Sequence, residues 1–196
     1  MRIVKLNKEI STFGRYDNFL KNIKFLKVLL FLIIFFTKLN AQNSEIGAGI
    51  GFGSFMGNFP SQTVLGGKLF YEFQSPLIYF DKINFHFSAA QKFEKFLPGK
   101  TRIEYFSYFY SAGTSVLFLQ NPNDNFYVSE GLGLIYMNDG SFSDINTWNL
   151  GLLLSLNFAY KLNPQSKLGF NFDYGLTFTN TNSRYNLFLI NYTFAL

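Results

Sequence analysis

From Ser44 onward the chain alternates apolar residues with polar or small ones, and it does so in eight separate runs. In the first, Ile46, Ala48, Ile50 and Phe52 are apolar while Gly47, Gly49, Gly51 and Gly53 lie between them. The second runs from Leu65 to Phe73, the third from Ile83 to Ala89, and the fourth from Phe106 to Phe118. Val128–Tyr136, Trp148–Tyr160, Leu168–Phe178 and Phe188–Leu196 complete the set. Alternation with a period of two sends successive side chains to opposite faces of a strand, so eight strands are predicted.

The character of the two faces decides what kind of sheet this is. A soluble barrel turns its apolar face inward and shows charge to water. Here the polar-side residues are mostly Gly, Ser and Asn, a poor surface to offer solvent. The apolar side is bulky and aromatic at both ends of a run: Tyr71 and Phe73, Phe106 and Phe118, Trp148 and Tyr160, Phe170 and Phe178. Transmembrane strands need about 9–11 residues and carry aromatic girdles at both interfaces. The fold class expected is therefore all-β: an eight-stranded antiparallel up-and-down transmembrane β-barrel. Glu130 departs from the pattern, since its parity aims a carboxylate at lipid, and a bulge or an interfacial position is expected there.

The spacing between runs gives the connections. Segments 74–82, 120–125 and 161–166 hold proline or turn clusters and alternate with 56–62, 92–101, 138–147 and 179–184. An even strand number places both termini at one end, expected to be periplasmic, with the second set of segments as external loops.

Composition changes the picture in two places. The formal charge of +5 suggests nucleic-acid binding until it is divided along the chain. Residues 1–41 carry eight basic side chains (Arg2, Lys5, Lys8, Arg15, Lys21, Lys24, Lys27 and Lys38) against Glu9 and Asp17, leaving 42–196 near neutrality with nine basic and ten acidic residues. No basic stripe remains to hold phosphates, and no nucleic-acid partner is expected. That N-terminal segment has the parts of an export signal: a Lys-rich stretch to Lys27, an apolar run Val28–Phe36, and Leu39-Asn-Ala41 as a cleavage site. The run is too short for a helix to cross about 30 Å of hydrocarbon. Residues 1–41 are thus expected to be a cleaved signal peptide and 42–196 the barrel. With no cysteine and a single histidine, disulfides, thiolate chemistry and a His-based zinc site are excluded as designs, and no cofactor is expected.

An export signal, eight alternating runs and an aromatic final strand together resemble the small OmpA/OmpX-like outer-membrane β-barrel family. The last residues, Asn191-Tyr-Thr-Phe-Ala-Leu196, are similar to the C-terminal signal by which such barrels are recognised for insertion, although they end on Leu rather than Phe. The resemblance implies the fold, integral outer-membrane location, outer-membrane lipids and lipopolysaccharide as surroundings, and the barrel-insertion machinery as a partner of the C-terminal strand.

An eight-stranded barrel is just wide enough inside for its own side chains. Pairing each hairpin about its loop sets Gly51 opposite Lys68, Gly47 opposite Glu72, Glu72 near Asn84, Phe70 near His86, Ser155 near Asp173, and Asp173 near Asn191. With Asn157 and Asn171, these polar residues are expected to form a lumen network (Lys68, Glu72, Asn84, His86, Ser155, Asn157, Asn171, Asp173, Asn191), because unpaired polar groups in a dry interior are costly. A packed lumen is not an open pore.

Candidate chemistry has ordinary explanations. Gly47-x-Gly-x-Gly-x-Gly53 lies in a strand, whereas a phosphate-binding glycine loop must open a helix. His86-Phe-Ser88 puts an imidazole and a hydroxyl on one face, as in some lipid A-modifying barrels, but that face looks into the lumen and no orienting acid is placed by spacing. Asn138-Asp-Gly140 with Asp144 is a hairpin turn rather than a calcium loop, and the sequon Asn191-Tyr-Thr193 sits inside a strand. The second external hairpin is the distinctive surface feature: Lys92, Lys95, Lys100 and Arg102, with Glu94 and Glu104, suit a solvated loop or a surface that docks lipopolysaccharide phosphates or a partner protein. The function expected is a non-enzymatic barrel of structural or surface-interaction type. A narrow channel or hydrophobic-ligand conduit, and a lipid A-modifying enzyme, stand as alternatives.

Overall fold

The computed structural model describes residues 44–57, 60–93, 108–139, 147–179 and 182–196. Each alternating run is a strand: β1 (Glu45–Met56), β2 (Gln62–Gln74), β3 (Lys82–Lys92), β4 (Tyr108–Asn123), β5 (Phe126–Asp139), β6 (Thr147–Asn163), β7 (Ser166–Thr177) and β8 (Arg184–Ala195). Every strand pairs antiparallel with the next, and β8 returns to β1, from Ala195 opposite Glu45 to Arg184 opposite Met56. The result is a closed barrel of eight strands with no free sheet edge. Where its ends meet, the Leu196 amide donates to the Ser44 carbonyl at 2.9 Å.

Asparagines shape two of the three turns at the end that carries the termini. Asn123 Oδ1 accepts from the amides of Asn125 (3.1 Å) and Phe126 (2.8 Å), and Asn163 Oδ1 accepts from Gln165 (2.9 Å). The side chain stands in for a backbone acceptor. Beside each turn the ladder slips, between Gln120 and Asn123 and between Lys161 and Asn163. Of the two alternatives expected for Glu130, a bulge at the residue itself is not found: it pairs regularly with Phe118 and Leu156, faces outward four residues from the start of β5, and accepts from the Gln120 side-chain amide at 3.4 Å.

The register of two hairpins differs from that expected. Gly49, not Gly51, lies opposite Lys68, and Gly47 faces Phe70 while Glu45 takes the place opposite Glu72. In the last hairpin Asp173 lies opposite Leu187, and Asn191 lies opposite Gly169. Both shifts are by an even number of residues, which leaves every side chain on its expected face; alternation constrains parity and not register. The Gly47–Phe70 pairing explains one glycine, because a Cβ there would run into the Phe70 ring.

The outer face is apolar around the circumference. Ile50, Leu69, Leu132, Leu154 and Ile190 are half exposed or more, and so are the aromatics Tyr136, Tyr160 and Phe178. Among the described strand residues, Glu130 and Arg184 alone put a charge on this face. A continuous apolar belt of this kind is far larger than the patches that soluble monomers expose.

Candidate functional site

The inward-facing positions divide the lumen into two layers. Toward the termini it is polar. Lys68 on β2 reaches across the barrel to Asp173 on β7, with Nζ 2.7 Å from Oδ2 and both side chains buried. Asn171 donates to the other Asp173 oxygen at 3.0 Å and to Ser155 Oγ at 3.3 Å. Asn191 of β8 donates to Asn157 of β6 at 3.0 Å. Nearer the mouth, Glu45 accepts from both Lys82 (2.7 Å) and Lys167 (2.8 Å), while Lys82 also approaches Glu72 at 3.4 Å and Asn84 donates to Glu72 at 3.0 Å. Strands β1, β2, β3, β6, β7 and β8 are thus tied through charge-assisted and amide bonds that the alternating pattern alone does not order. Glu45, Lys82 and Lys167 were not among the residues singled out from the sequence, since each sits at a strand end beside turn residues.

Toward the loops the lumen is apolar. Phe55, Val64, Phe109, Ile135, Met137, Leu153, Tyr185, Leu187 and Leu189 are essentially fully buried and form one cluster with Ala90. Phe109 stacks between Phe55 and Tyr185, with ring centroids 5.2 and 4.8 Å away. This plug is an unforeseen feature. Its trace in the sequence is the failure of alternation at Leu187–Ile190 and Leu152–Leu154, where both parities are apolar because both faces of the strand are out of water.

His86 and Ser88 face inward beneath the plug. Among the described residues, neither ring nitrogen of His86 nor the Ser88 hydroxyl has a hydrogen-bond partner, so the two are not joined as base and nucleophile. Asp173 is engaged by Lys68 rather than by the imidazole. Gly113 on β4 makes room for the ring, because a Cβ there would lie 2.9 Å from His86 Nε2. Among the described residues no cluster of His, Asp and Glu has the form of a metal site. Gly47–Gly53 is strand, and Asn191 of the sequon is buried in the lumen.

Space inside is scarce. The gap among Lys68, Glu72, Asn84, Asn157, Asn171 and Asn191 measures about 10 Å³, on the order of one water molecule. A wider cavity of about 380 Å³ opens at the terminus-end mouth, lined by Glu45, Lys82, Tyr127, Lys161, Gln165 and Lys167, among others. Above it lie the polar layer and then the plug.

Of the basic side chains assigned to the external hairpin, Lys92 is not on an exposed rim. It continues the inward parity of Asn84, His86 and Ser88, lies opposite Val64, and is 5% exposed. Lys95, Lys100 and Arg102 lie outside the described residues, as do Glu94, Glu104, Gly140, Asp144 and the whole of 1–41.

No protein-family model matches the chain, and no curated protein matches its sequence. Solved structures do match its fold. Neisserial surface protein A (NspA) superposes with a TM-score of 0.62 at 12% identity, over 78% of this chain and 97% of that one. Ail, the attachment invasion locus protein of Yersinia pestis, gives 0.51 at 12% identity over the same shares, 78% and 97%. At this identity the likeness is one of fold, and it agrees with the closed eight-stranded barrel expected from the alternating runs.

Proposed function

We propose that the chain is an integral outer-membrane β-barrel of surface-interaction type, with periplasmic termini, a sealed lumen and no catalytic role. The observation that carries this reading is the pairing of a circumferential apolar belt with an interior closed by the Phe55–Phe109–Tyr185 stack. A face of that kind needs hydrocarbon around it, and an interior of that kind does not pass solutes. The similar structures carry the words surface protein and attachment in their names, which supports placing the activity in the loops. His86 and Ser88, sealed in the lumen and unjoined, support a non-enzymatic reading. Export through residues 1–41 and insertion guided by β8 belong to the same proposal, as do contacts with outer-membrane lipid and lipopolysaccharide.

Two measurements test it. Leu154 is half exposed on the outer face between Leu132 and Tyr174, so Leu154→Arg is expected to cost about 2–4 kcal/mol of stability in lipid vesicles. In planar bilayers the wild-type protein is expected to show no steady conductance, and an open unitary current would favour the channel alternative.

The loop contribution is tested separately. Neutralising Lys95, Lys100 and Arg102 together is expected to leave insertion intact and to weaken lipopolysaccharide binding, most at low salt, where screening is least. Exposed contacts are worth about 0–1 kcal/mol each, so the triple variant is needed. Wild-type binding across a salt series would reduce the loop to a solvated connection.

A further inference from the structure

Three turns connect strands at the terminus end, and two of them, at Asp124-Asn125 and Pro164-Gln165, are short and polar. The third, Ser75-Pro-Leu-Ile-Tyr-Phe-Asp81 between β2 and β3, carries an apolar tip. Ile78 is 96% exposed, Tyr79 82% and Leu77 52%. Its shape is held by specific bonds. The Ser75 amide donates to the Asp81 carbonyl (2.9 Å), the Phe80 amide to Leu77 (3.3 Å), and the Asp81 amide to Leu117 of β4 (3.0 Å). Ser75 Oγ accepts from the Leu77 amide at 3.0 Å, and the Asp81 carboxylate accepts from Leu119 at 2.7 Å.

The turn leans outward rather than over the mouth. None of residues 75–80 lines the terminus-end cavity. Phe80 packs edge-on against Phe118, an outward-facing residue of β4, at 5.1 Å between centroids. At the base of the turn, Phe73 has outward parity yet is only 4% exposed, against Tyr71 and Phe85 of the same face. The turn therefore continues the apolar outer face beyond the strand ends.

We propose that the β2–β3 turn is a lipid anchor, seating Leu77, Ile78 and Tyr79 in the headgroup–acyl boundary of the leaflet on the terminus side. This rests on the membrane reading above and adds to it a surface of this chain that meets lipid. Continuity with the outer belt favours lipid over a protein partner, and three side chains fall far short of the roughly 1,200–2,000 Å² that a stable protein interface buries. The depth follows from the backbone. The amides of Ile78 and Tyr79 have no backbone acceptor among the described residues, which the hydrocarbon core does not tolerate and the hydrated boundary does. A tyrosine beside aliphatic residues suits that level, its ring in hydrocarbon and its hydroxyl in the headgroups.

The chain has no cysteine, so single-site labelling needs no background changes. Ile78→Cys, Leu154→Cys and Asp124→Cys, each carrying an environment-sensitive fluorophore, are refolded into dioleoylphosphatidylcholine vesicles. The expected result is quenching of the Leu154 probe by lipid labelled deep in its acyl chain and of the Ile78 probe by lipid labelled near the glycerol. The Asp124 probe should instead be quenched by aqueous iodide, several-fold more strongly than the Ile78 probe. If the Ile78 probe behaves like the Asp124 probe while the Leu154 probe is lipid-quenched, the anchor is overturned and the membrane barrel stands. If the Leu154 probe escapes lipid quenching, the membrane reading itself fails. A Tyr79→Trp variant on a Trp148→Phe background repeats the test without a label, blue-shifted emission in vesicles supporting the anchor and water-like emission overturning it.

Discussion

Replacing Asp173 with alanine is expected to lower the stability of the barrel by about 3–5 kcal/mol, the usual cost of stripping one partner from a buried ion pair. Asp173 is 0% exposed, and its two oxygens are held by Lys68 at 2.7 Å and Asn171 at 3.0 Å. Without it, the Lys68 ammonium keeps, among the described residues, a long 3.4 Å contact with Asn171 Oδ1 and a place 5.9 Å from the Phe70 ring centroid, with no anion, in an interior with almost no room for water. Most of the loss is therefore the stranding of a charge rather than the value of the bond itself. That distinction is testable: the paired replacement Lys68→Met with Asp173→Leu removes both charges and is expected to recover most of the single-variant loss. Urea unfolding in lipid vesicles, followed by the mobility difference between heated and unheated protein, reads both outcomes. If Asp173→Ala unfolds at the wild-type midpoint, the cross-lumen link carries no weight in the fold.

Phe109→Ala is expected to be about as damaging, at about 3–5 kcal/mol, for a reason that has nothing to do with charge. Its ring is wholly buried between Phe55 and Tyr185. Truncation removes apolar contact on both sides and leaves a cavity that stiff, hydrogen-bonded strands cannot collapse to fill. Each offset aromatic pair adds about 0.5–1.5 kcal/mol beyond its buried area, and both pairs are lost together. Phe109→Leu keeps most of the volume and is expected to cost markedly less. Equal unfolding midpoints for the alanine and leucine variants would mean that the stack does not act as a packed plug.

These two sites differ in how visible they were beforehand. Lys68 and Asp173 were both recognisable as lumen residues, because a polar residue at the inward parity of a strand with a lipid-facing opposite side has nowhere else to go. Their mutual contact was not, since they are 105 residues apart and meet across the lumen rather than along a ladder. Phe109 was less visible still. Flanked by Tyr108 and Tyr110, it sits in an aromatic run in which neither face stands out. Lys92 misled for the opposite reason: a lysine near a loop invites a surface assignment, while its parity already pointed it inward.

What the amino-acid sequence determined by itself was local. The eight strands, their approximate limits and the outward direction of Ile50, Leu132 and Leu154 follow from a period of two, which any short stretch of chain displays. Tertiary structure decided the register of the first and last hairpins, the order of the ion pairs and the apolar plug. Each depends on how far strands are staggered as the barrel closes, and an even slip leaves the pattern of faces unchanged while moving every lumen side chain to a new neighbour.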